Sequence, residues 1–456
     1  MAATSDTTPN DRPIADLDEL VELFRANEKR HDKFRIGAEA EKFAVTAAGE
    51  PLHYEGEQGV VGIFEALGDY GWEPERETPD GPVISLRRGQ SSITLEPGSQ
   101  LELSGAALPD LHQVEAEFIN HLRELAPVSK RLGLTWLGVG FHPLARQEDL
   151  KWVPKQRYSV MREYLPTKGH AAHDMMRRTA TVQANFDFES EADAMAKLLV
   201  SLKVSPLIHA MLANSPFKEG KLAGSKSVRG EVWLNMDPSR SGLIPSLWSK
   251  SKLGYRDYVE WALDSGMFLF KREGRVVLNT GQTFRAFMTD GFEGHRATVA
   301  DFKLHLQTLF PEARLKNTLE VRGCDSLPAS LALAVPALFT GILYDGRAFE
   351  QTRELVSSWT FEQTERERLA LIREGLSAPF AGKRAVEYAQ ALYELASSGL
   401  SRRARRNAQN EDERRYLKPL EPLLAKAEAP ADVLTRGLAP GATLTPAEAI
   451  ARCKID

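Results

Sequence analysis

The stretch ITLEPGSQLELSG, residues 93–105, is the part of the sequence that decides the predicted fold. Its apolar residues recur at every second position on both sides of Pro97-Gly98, which predicts two short strands joined by a tight turn. Glu96 and Glu102 fall on the face opposite to these apolar residues. A strand pair that presents carboxylates on one face either meets solvent there or holds something cationic.

Three further segments repeat this pattern of one apolar and one polar face. The polar faces carry Glu39 and Glu41 in segment 35–45, Gln183 and Asn185 in segment 177–188, and Glu320 and Arg322 in segment 314–326. If all these segments pair in one antiparallel sheet, one side of the sheet packs on helices and the other side is lined by carboxylates. The sequence therefore predicts an α+β fold with an acidic sheet surface.

The composition is that of an ordinary globular protein and argues against two classes of partner. The 456 residues are 42% hydrophobic and 27% charged, with a formal net charge of -5. A mildly acidic chain gives no reason to expect nucleic acid or an anionic membrane as a partner. The longest apolar run, residues 329–343, contains Pro336 and is too short for a membrane span, so we expect a buried helix there.

Residues 1–13 are small and polar, which predicts a disordered start. They lack the apolar core of a secretory signal and the Arg-rich character of a transit peptide. Cys324 and Cys453 are too few for a disulfide framework and favour a reducing compartment. We therefore expect a cytoplasmic protein in which residues 14–456 form a single domain, mainly helical from about residue 329.

Carboxylates that are crowded on one face repel one another and need cations. All-oxygen ligands without Cys and with little His favour Mg²⁺, or alternatively Mn²⁺, over Zn²⁺. A basic run at residues 151–168 contains Lys155, Arg157 and Arg162. Hard cations beside such a run are one means of neutralising a polyphosphate. Two alternatives stay open, because a solvated sheet face and a surface loop produce the same patterns.

Several familiar active-site motifs do not occur in the sequence. There is no G-x-x-x-x-G-K-[ST], no G-x-G-x-x-G after a predicted strand, no G-x-S-x-G, no H-E-x-x-H and no C-x-x-C. P-loop, Rossmann, α/β-hydrolase and zinc-peptidase sites therefore have no support. Cys324 has no His suggested nearby, so we expect a buried structural thiol.

A series of motifs, taken in order, resembles the plant and proteobacterial type of glutamate–cysteine ligase. The motifs are IGAEAEKF (36–43), LEPGSQLELSG (95–105), LGVGFHP (137–143), PKQRYSVMREYLP (154–166), MRRTATVQANFDFESEAD (176–193), LANSPFKEGK (212–221) and FPEARLKNTLEVRGCDS (310–326). The resemblance implies a curved antiparallel sheet of the glutamine synthetase catalytic type, with helices on its convex face. It also implies that ATP phosphorylates the γ-carboxylate of glutamate. The amine of cysteine then displaces phosphate to give γ-glutamylcysteine, the first step of glutathione biosynthesis.

The resemblance also implies roles for residues at matching positions. Glu39, Glu41, Glu96, Glu102 and Glu320 are expected as Mg²⁺ ligands, with Gln183 and Asn185 close to the metal–nucleotide cluster. Glu320 and Arg322 are expected to be catalytic, with Arg322 stabilising the phosphoryl group. Arg229 and Arg178 are candidates for gripping the carboxylates of glutamate, and Lys155, Arg157 and Arg162 for phosphate contact. Arg229 lies in SVRGEVWLN, residues 227–235, where we expect a strand or loop edge.

The implied partners are the small molecules ATP, glutamate and cysteine, and a monomer or weak homodimer is expected. Three alternatives remain: a ligase of the same fold that uses another amine or serves ergothioneine synthesis, a glutamate- or nucleotide-binding protein without catalysis, and a metal hydrolase, against which a requirement for ATP would decide. The sequence departs from the family at Ala40, where His is usual, and at Ser99, where the second Gly of E-P-G-G-Q is usual. Its two cysteines do not reproduce the regulatory disulfides of the plant enzymes.

Overall fold

The computed structural model describes residues 12–250, 252–273 and 275–455. Of the segment predicted to be disordered, residues 1–13, only Arg12 and Pro13 fall within this range; the rest lies outside the described residues. Arg12 forms an ion pair with Glu19 at 2.9 Å, and Pro13 forms a β-bridge with Thr298. These two residues therefore contact the folded part of the chain.

Strands dominate the first part of the chain, and helices dominate the part after residue 329. The strands are β1 (Ile36–Thr46), β2 (Glu73–Arg76), β3 (Val83–Arg88), β4 (Ser91–Leu95), β5 (Leu101–Ser104), β6 (Leu134–Leu137), β7 (Val182–Phe186), β8 (Phe217–Lys218), β9 (Lys221–Leu222), β10 (Ser241–Gly242), β11 (Leu269–Arg272), β12 (Arg275–Leu278), β13 (Phe310–Pro311), β14 (Ala313–Leu315), β15 (Leu319–Val321), β16 (Pro379–Phe380) and β17 (Lys383–Arg384). The helices are α1 (Asp18–Arg25), α2 (Val60–Gly68), α3 (Leu111–Leu132), α4 (Gln156–Tyr164), α5 (Ala172–Arg178), α6 (Glu191–Met211), α7 (Val228–Leu234), α8 (Pro245–Trp248), α9 (Tyr255–Asp264), α10 (Phe284–Asp290), α11 (Val299–Leu306), α12 (Ala329–Ala332), α13 (Ala334–Leu343), α14 (Gly346–Leu355), α15 (Phe361–Glu374), α16 (Ala385–Arg403), α17 (Glu421–Lys426), α18 (Pro430–Thr435) and α19 (Pro446–Cys453).

One nine-stranded sheet, counted over the described residues, contains all four polar-faced segments. Its order is β14-β15-β7-β1-β5-β4-β3-β2, and these neighbours are antiparallel. Strand β1 spans 11 residues, so its first half pairs with β5 and β7 while its second half pairs with β6. The predicted α+β class with an antiparallel sheet is confirmed.

The two faces of the sheet differ as the alternation predicted. Ala40, Leu103 and Val182 lie opposite one another across β1, β5 and β7 and are buried in the main hydrophobic core. Helices α3, α6 and α13 contact the sheet and supply residues to the same core. The face made of the alternate residues is therefore free of helices from this layer and carries the polar side chains.

The two most apolar helical segments belong to the core. Residues 329–343 form α12 and α13, and every residue of α13 is buried, which confirms the predicted buried helix. Helix α6 has the length and composition of a membrane span, but 83% of its apolar window is buried inside the fold. It also carries Lys197 and Lys203, both buried and both bonded to carbonyl oxygens. These features are typical of a core helix.

The segment 227–235, predicted to be a strand or loop edge, is instead helix α7, so that prediction is wrong. The hydroxyl of Ser227 accepts a hydrogen bond from the backbone N–H of Gly230 and caps the helix. The valines and Trp233 suggested a strand, but α7 packs against α5 and α15, and this tertiary contact outweighs the weak strand propensity.

In the turn between β4 and β5, Gly98 has no room for a larger side chain and Ser99 has a strained backbone. A Cβ atom added to Gly98 would lie 2.3 Å from the carbonyl oxygen of Arg177, so no other residue fits there without a shift. Ser99 has a φ of 69°, in the left-handed region that favours glycine. Its hydroxyl is buried and has no hydrogen-bond partner among the described residues. The departure at Ser99 therefore costs stability.

We predict opposite effects of substitution at these two neighbours. Gly98→Ala is expected to destabilise the protein by about 1–3 kcal/mol, because the new methyl group collides with backbone. Ser99→Gly is expected to stabilise it by about 1 kcal/mol, since it removes the left-handed strain and the unpaired hydroxyl. Urea denaturation monitored by circular dichroism measures both, and a destabilising Ser99→Gly would show that the serine is well accommodated.

Two of the buried histidines, His142 and His305, are held neutral. Burial, and then the charge of Arg178, lowers the pKa of His142 to about 3, and Nδ1 of His142 accepts a hydrogen bond from the backbone N–H of Ala145 at 2.9 Å. Burial also lowers the pKa of His305 to about 3, and Nε2 of His305 donates to the carbonyl oxygen of Ala262 at 2.8 Å. The folded chain therefore does not protonate either ring at mildly acidic pH.

Because of these two histidines, we expect the free energy of unfolding to decrease in acid. In the unfolded chain they take up protons below about pH 6.5, whereas in the folded chain they do so only near pH 3, so each destabilises the fold by about 2 kcal/mol between pH 7 and pH 5. His142→Asn keeps the Nδ1-like acceptor, and His305→Gln keeps the Nε2-like donor. Each variant is expected to show a pH dependence of the unfolding free energy that is smaller by about 2 kcal/mol over this range. An unchanged pH dependence would show that the ring is protonated in the folded protein.

Candidate active site

The polar face of the sheet forms the floor of a cavity of about 970 Å³. Helices α1, α4 and α11 contribute its walls, and the hairpin of β14 and β15 closes one end. The predicted site residues that line the cavity are Glu39, Glu41, Glu96, Glu102, Lys155, Arg157, Gln183, Glu320 and Arg322. The structure therefore brings together residues from five regions of the sequence.

Strand pairing places the carboxylates side by side. Glu41 of β1 lies directly opposite Glu102 of β5, and Glu39 lies opposite Gln183 of β7. Glu96 immediately follows β4, which is the next strand along the sheet. Because alternate residues of a strand share a face, all four carboxylates are carried on the cavity side.

Neutral donors hold two of these carboxylates in place. Glu102 accepts hydrogen bonds from the hydroxyls of Thr94 at 2.5 Å and Ser104 at 2.9 Å. Glu41 accepts one from the backbone N–H of Thr181 at 3.0 Å and one from the amide of Gln183 at 3.3 Å. The side chains are thus oriented without any positive charge.

The resulting strip of carboxylates, Glu39, Glu41, Glu96 and Glu102, is electrostatically unfavourable on its own. None of the four forms a salt bridge with the described residues. Burial, together with the charges of Glu320 and Glu102, raises the pKa of Glu39 to about 8. Burial and neighbouring carboxylates also raise the pKa values of Glu41 and Glu96 above their ordinary range. The carboxylate strip therefore has unmet capacity for a cation.

Glu320 differs from the carboxylate strip because it is surrounded by cations. Arg314 donates to both of its oxygens, at 2.7 and 3.0 Å, and Arg322 and Lys316 each approach within 3.2 Å. Burial alone would raise the pKa of Glu320, but Arg314, Lys316 and Arg322 together hold it well below its usual range. Glu320 thus anchors a cationic cluster, Arg314, Lys316 and Arg322, at the β15 end of the cavity.

A second cationic group stands at the β4 end of the cavity. The Lys155 ammonium donates to the carbonyl oxygen of Leu95 at 2.7 Å, and burial, with the charge of Arg157, lowers the pKa of Lys155 to about 8. The guanidinium of Arg157 lies over the ring of Tyr158 and forms no salt bridge within the described residues. One of its N–H groups donates to the hydroxyl of Tyr158 at 3.3 Å, and the guanidinium lines the cavity, where it can bind an anion.

Asn185 of β7 lies between the carboxylate strip and the hairpin of β14 and β15. Asn185 donates from its amide nitrogen to Glu39 at 2.7 Å and accepts from the hydroxyl of Thr318 at 3.2 Å. In the strand register it lies between Gly37 of β1 and Glu320 of β15. Asn185 does not line the cavity itself, so its contact is with a carboxylate and not with the open space.

Three of the predicted arginines lie outside the cavity lining. Arg229 is buried behind the cationic cluster, where its guanidinium donates to the carbonyl oxygens of Gly323 and Arg322 at 2.9 and 3.0 Å. Arg162 is exposed, lies over the ring of Trp152 and is not part of the cavity lining.

Arg178 is also placed away from the cavity. It is buried and forms ion pairs with Asp174 and Glu219, each at 3.2 Å, while its guanidinium lies 4.5 Å from the centre of the Phe141 ring. It ends helix α5, before the strand of its own segment begins, and so does not share the polar face of β7. Arg178 is therefore not among the residues that line the cavity.

Arg314 and Lys316 are site residues that the sequence argument did not identify. Both line the cavity, and Arg314 lies directly opposite Glu320 in the β14–β15 pair. The signal was present, because Arg314, Lys316 and Glu320 occupy alternate positions on the two arms of a hairpin. The alternation within residues 314–326 predicts a single strand, which leaves no place for the turn at Asn317.

The donor set fits a hard divalent cation. Glu39, Glu41, Glu96 and Glu102 supply only oxygen ligands, which Mg²⁺ and Mn²⁺ prefer. Within the described residues, no three His, Cys, Asp or Glu side chains converge closely enough to define a preformed metal site. Burial and the neighbouring carboxylates raise the pKa values of Glu39, Glu41 and Glu96, so a cation bound here would relieve an unfavourable concentration of negative charge. Additional oxygens from a phosphate or water would complete a coordination shell.

Comparison with known proteins identifies the chain. Residues 35–446 match the model of glutamate–cysteine ligase family 2, and the chain belongs to this family. It is 38% identical over 405 residues to the chloroplastic glutamate–cysteine ligase of Medicago truncatula, covering 88% of this chain and 78% of that protein. It is 38% identical over 417 residues to the chloroplastic enzyme of Arabidopsis thaliana, covering 89% and 79%. The predicted family and the ligase class are confirmed.

A solved structure shows a distant likeness to the fold. It is the glutamate–cysteine ligase of Francisella tularensis in complex with AMP. The alignment covers 92% of this chain and 84% of that chain, with 12% sequence identity and a TM-score of 0.49.

The expected cytoplasmic location is contradicted by these relatives. The glutamate–cysteine ligases of Medicago truncatula, Brassica juncea, Arabidopsis thaliana and Oryza sativa are all named chloroplastic. The expectation was based on cysteine content and on the first thirteen residues. Both described cysteines are free and buried, which agrees with reduced thiols. Reduced thiols report a redox condition and do not specify the compartment.

Proposed function

We propose that this cavity is the active site in which the chain uses ATP to join the γ-carboxylate of glutamate to the amine of cysteine. The observation that carries the proposal is the carboxylate strip without cationic partners, bordered by cations at both ends, in a member of this ligase family. Such a surface suits a reaction in which a metal-bound polyphosphate meets a substrate carboxylate. The product is γ-glutamylcysteine, the precursor of glutathione.

We propose that Glu39, Glu41, Glu96 and Glu102 hold Mg²⁺, or alternatively Mn²⁺. A metal bound there would supply positive charge to the phosphate chain of ATP. Glu320 is given a different role from the other four carboxylates, because three cations already surround it. It holds Arg314 and Arg322 in the cavity wall.

In the first step, an oxygen of the γ-carboxylate attacks the γ-phosphorus of ATP, the bond to the bridging oxygen breaks, and ADP leaves. Arg322 and Arg314 stabilise the charge on the transferred phosphoryl oxygens, since a guanidinium donates in the fork geometry that phosphate accepts. Arg157, at the opposite end, is the guanidinium available to bind a substrate carboxylate or a phosphate. Lys155 adds positive charge beside it.

In the second step, the amine nitrogen of cysteine attacks the carbonyl carbon of γ-glutamyl phosphate. The C–O bond to phosphate breaks, the nitrogen loses a proton, and inorganic phosphate leaves. Walls from α1, α4 and α11 enclose the sheet face and limit the access of water to the acyl phosphate. We propose that the chain acts on these small molecules as a monomer or weak homodimer.

The test is a phosphate-release assay with purified protein, ATP, Mg²⁺ and glutamate. Addition of cysteine is expected to start the release of phosphate in an amount equal to the γ-glutamylcysteine formed, measured by mass spectrometry. The same assay with cysteamine, alanine and histidine in place of cysteine measures acceptor specificity. A higher kcat/KM for one of these amines would assign a different acceptor, and nucleotide binding without turnover would overturn the catalytic role.

A further inference from the structure

Four sequence motifs meet at one buried carboxylate, Asp325, which lies outside the cavity lining. Its side chain is fully enclosed, with 0% of its surface exposed. Oδ2 accepts hydrogen bonds from the backbone N–H of Asn214 and the hydroxyl of Ser215, both at 2.7 Å. Oδ1 accepts from the hydroxyl of Ser227 at 2.9 Å, and Nε2 of His209 lies 3.3 Å away. Asp325 therefore joins LANSPF, SVRGEVW and VRGCDS through direct contacts.

The fourth motif, LGVGFHP, contributes the space for this carboxylate. A Cβ atom added to Gly140 would lie 2.3 Å from Cγ of Asp325. The Ser227, His209 and Asp325 side chains do not form a catalytic triad, because serine and aspartate contact the same ring nitrogen and all three are buried. The cluster therefore has a structural role, because it keeps the segments that contribute to it in contact.

A closed ring of contacts links Asp325 to Arg322, the arginine proposed to stabilise the phosphoryl group. Ser215, which donates to Asp325, accepts a hydrogen bond from the backbone N–H of Arg229 at 3.2 Å. The Arg229 guanidinium donates to the carbonyl oxygens of Arg322 and Gly323. Asp325 follows Arg322 by three positions, so the chain itself completes the ring. Ser227 adds a second link, since it caps helix α7, which carries Arg229.

We infer that Asp325 is a positioning residue for the ligase reaction: through Ser215 and Arg229 it fixes the backbone of Arg322. The inference rests on the proposed role of Arg322 at the phosphoryl group. The Arg322 guanidinium donates to Glu320 at 3.2 Å and lies 5.8 Å from the centre of the Phe310 ring, so its reach into the cavity depends on where the backbone is held. A group that stabilises a transition state must be held within about 0.5 Å of its place. Arg229 acts here as a support that does not itself touch substrate.

A double-mutant cycle between Ser215→Ala and Arg322→Lys tests this inference. Ser215→Ala removes the hydroxyl that links Asp325 to Arg229 and that also contacts the hydroxyl of Ser227 at 3.3 Å. It is expected to lower kcat about tenfold in the wild-type chain and less than twofold in the Arg322→Lys chain, because misplacement matters only while the arginine is present. Asp325→Asn is expected to behave in the same way. Activities are expressed per folded molecule, with the folded fraction measured by circular dichroism.

Asp187→Asn is the matched control. Asp187 is also buried and accepts hydrogen bonds from the backbone N–H of Arg35 and from Lys29, both at 2.7 Å, at the far end of β7. Asp187→Asn is expected to lower kcat by the same factor in the wild-type chain and in the Arg322→Lys chain. If Ser215→Ala lowered kcat by the same factor in both chains, the positioning role would be overturned. A wild-type chain without ligase activity would overturn the proposed function instead.

Discussion

Glu96→Gln is expected to lower cysteine-dependent phosphate release by at least about 100-fold while the Tm of the ligand-free protein stays unchanged or rises slightly. The activity falls because the variant removes one negative ligand from the carboxylate strip. The Tm does not fall because the Glu96 carboxylate forms no hydrogen bond or salt bridge within the described residues, and burial and Glu102 already raise its pKa. Phosphate release and differential scanning calorimetry measure the two effects.

Glu117→Gln serves as the matched control for this prediction. Glu117 accepts hydrogen bonds from the hydroxyl of Ser91 and the backbone N–H of Ala106, outside the cavity lining. The control is expected to lose stability and keep its activity per folded molecule. Phosphate release by Glu96→Gln at the wild-type rate would show that the carboxylate strip does not hold the metal.

Period-two alternation was enough to predict the sheet and most of its polar face. It placed Glu39 and Glu41 on one side of β1 because a strand that is apolar on one face leaves little choice of register. The turn at Gly98 was also predictable, since Pro-Gly between two alternating arms is typical of a strand connection. These features depend on local sequence alone.

Other parts of the site depend on pairing and packing that a single sequence does not specify. Arg314 and Glu320 meet only because segment 314–326 folds back as a hairpin. Arg229 faces carbonyl oxygens because the Ser227 cap makes its segment a helix. Arg178, next to a strand with a polar face, is held instead by ion pairs with Asp174 of its own helix and Glu219 of a distant segment. Tertiary competition of this kind is why residue type and spacing did not place these arginines.

Glu320→Gln is expected to abolish phosphate release and also to destabilise the ligand-free protein by about 3–5 kcal/mol. The loss of both activity and stability distinguishes Glu320→Gln from Glu96→Gln, which is expected to lose activity alone. Removing the Glu320 charge leaves Arg314, Arg322 and Lys316 close together without their shared anion, and Arg314 is buried. Urea denaturation of the ligand-free chain measures the loss of stability.

Glu312→Gln is the control that separates the two losses. Glu312 forms a comparable ion pair with the buried Arg368, but it lies outside the cavity lining. Glu312→Gln is expected to be destabilised while it keeps its activity per folded molecule, because only a structural arginine loses its partner. If Glu320→Gln were instead as stable as the wild-type chain, Glu320 would not be the anchor of the cationic cluster. It would then belong with the carboxylate strip as a fifth ligand for the metal.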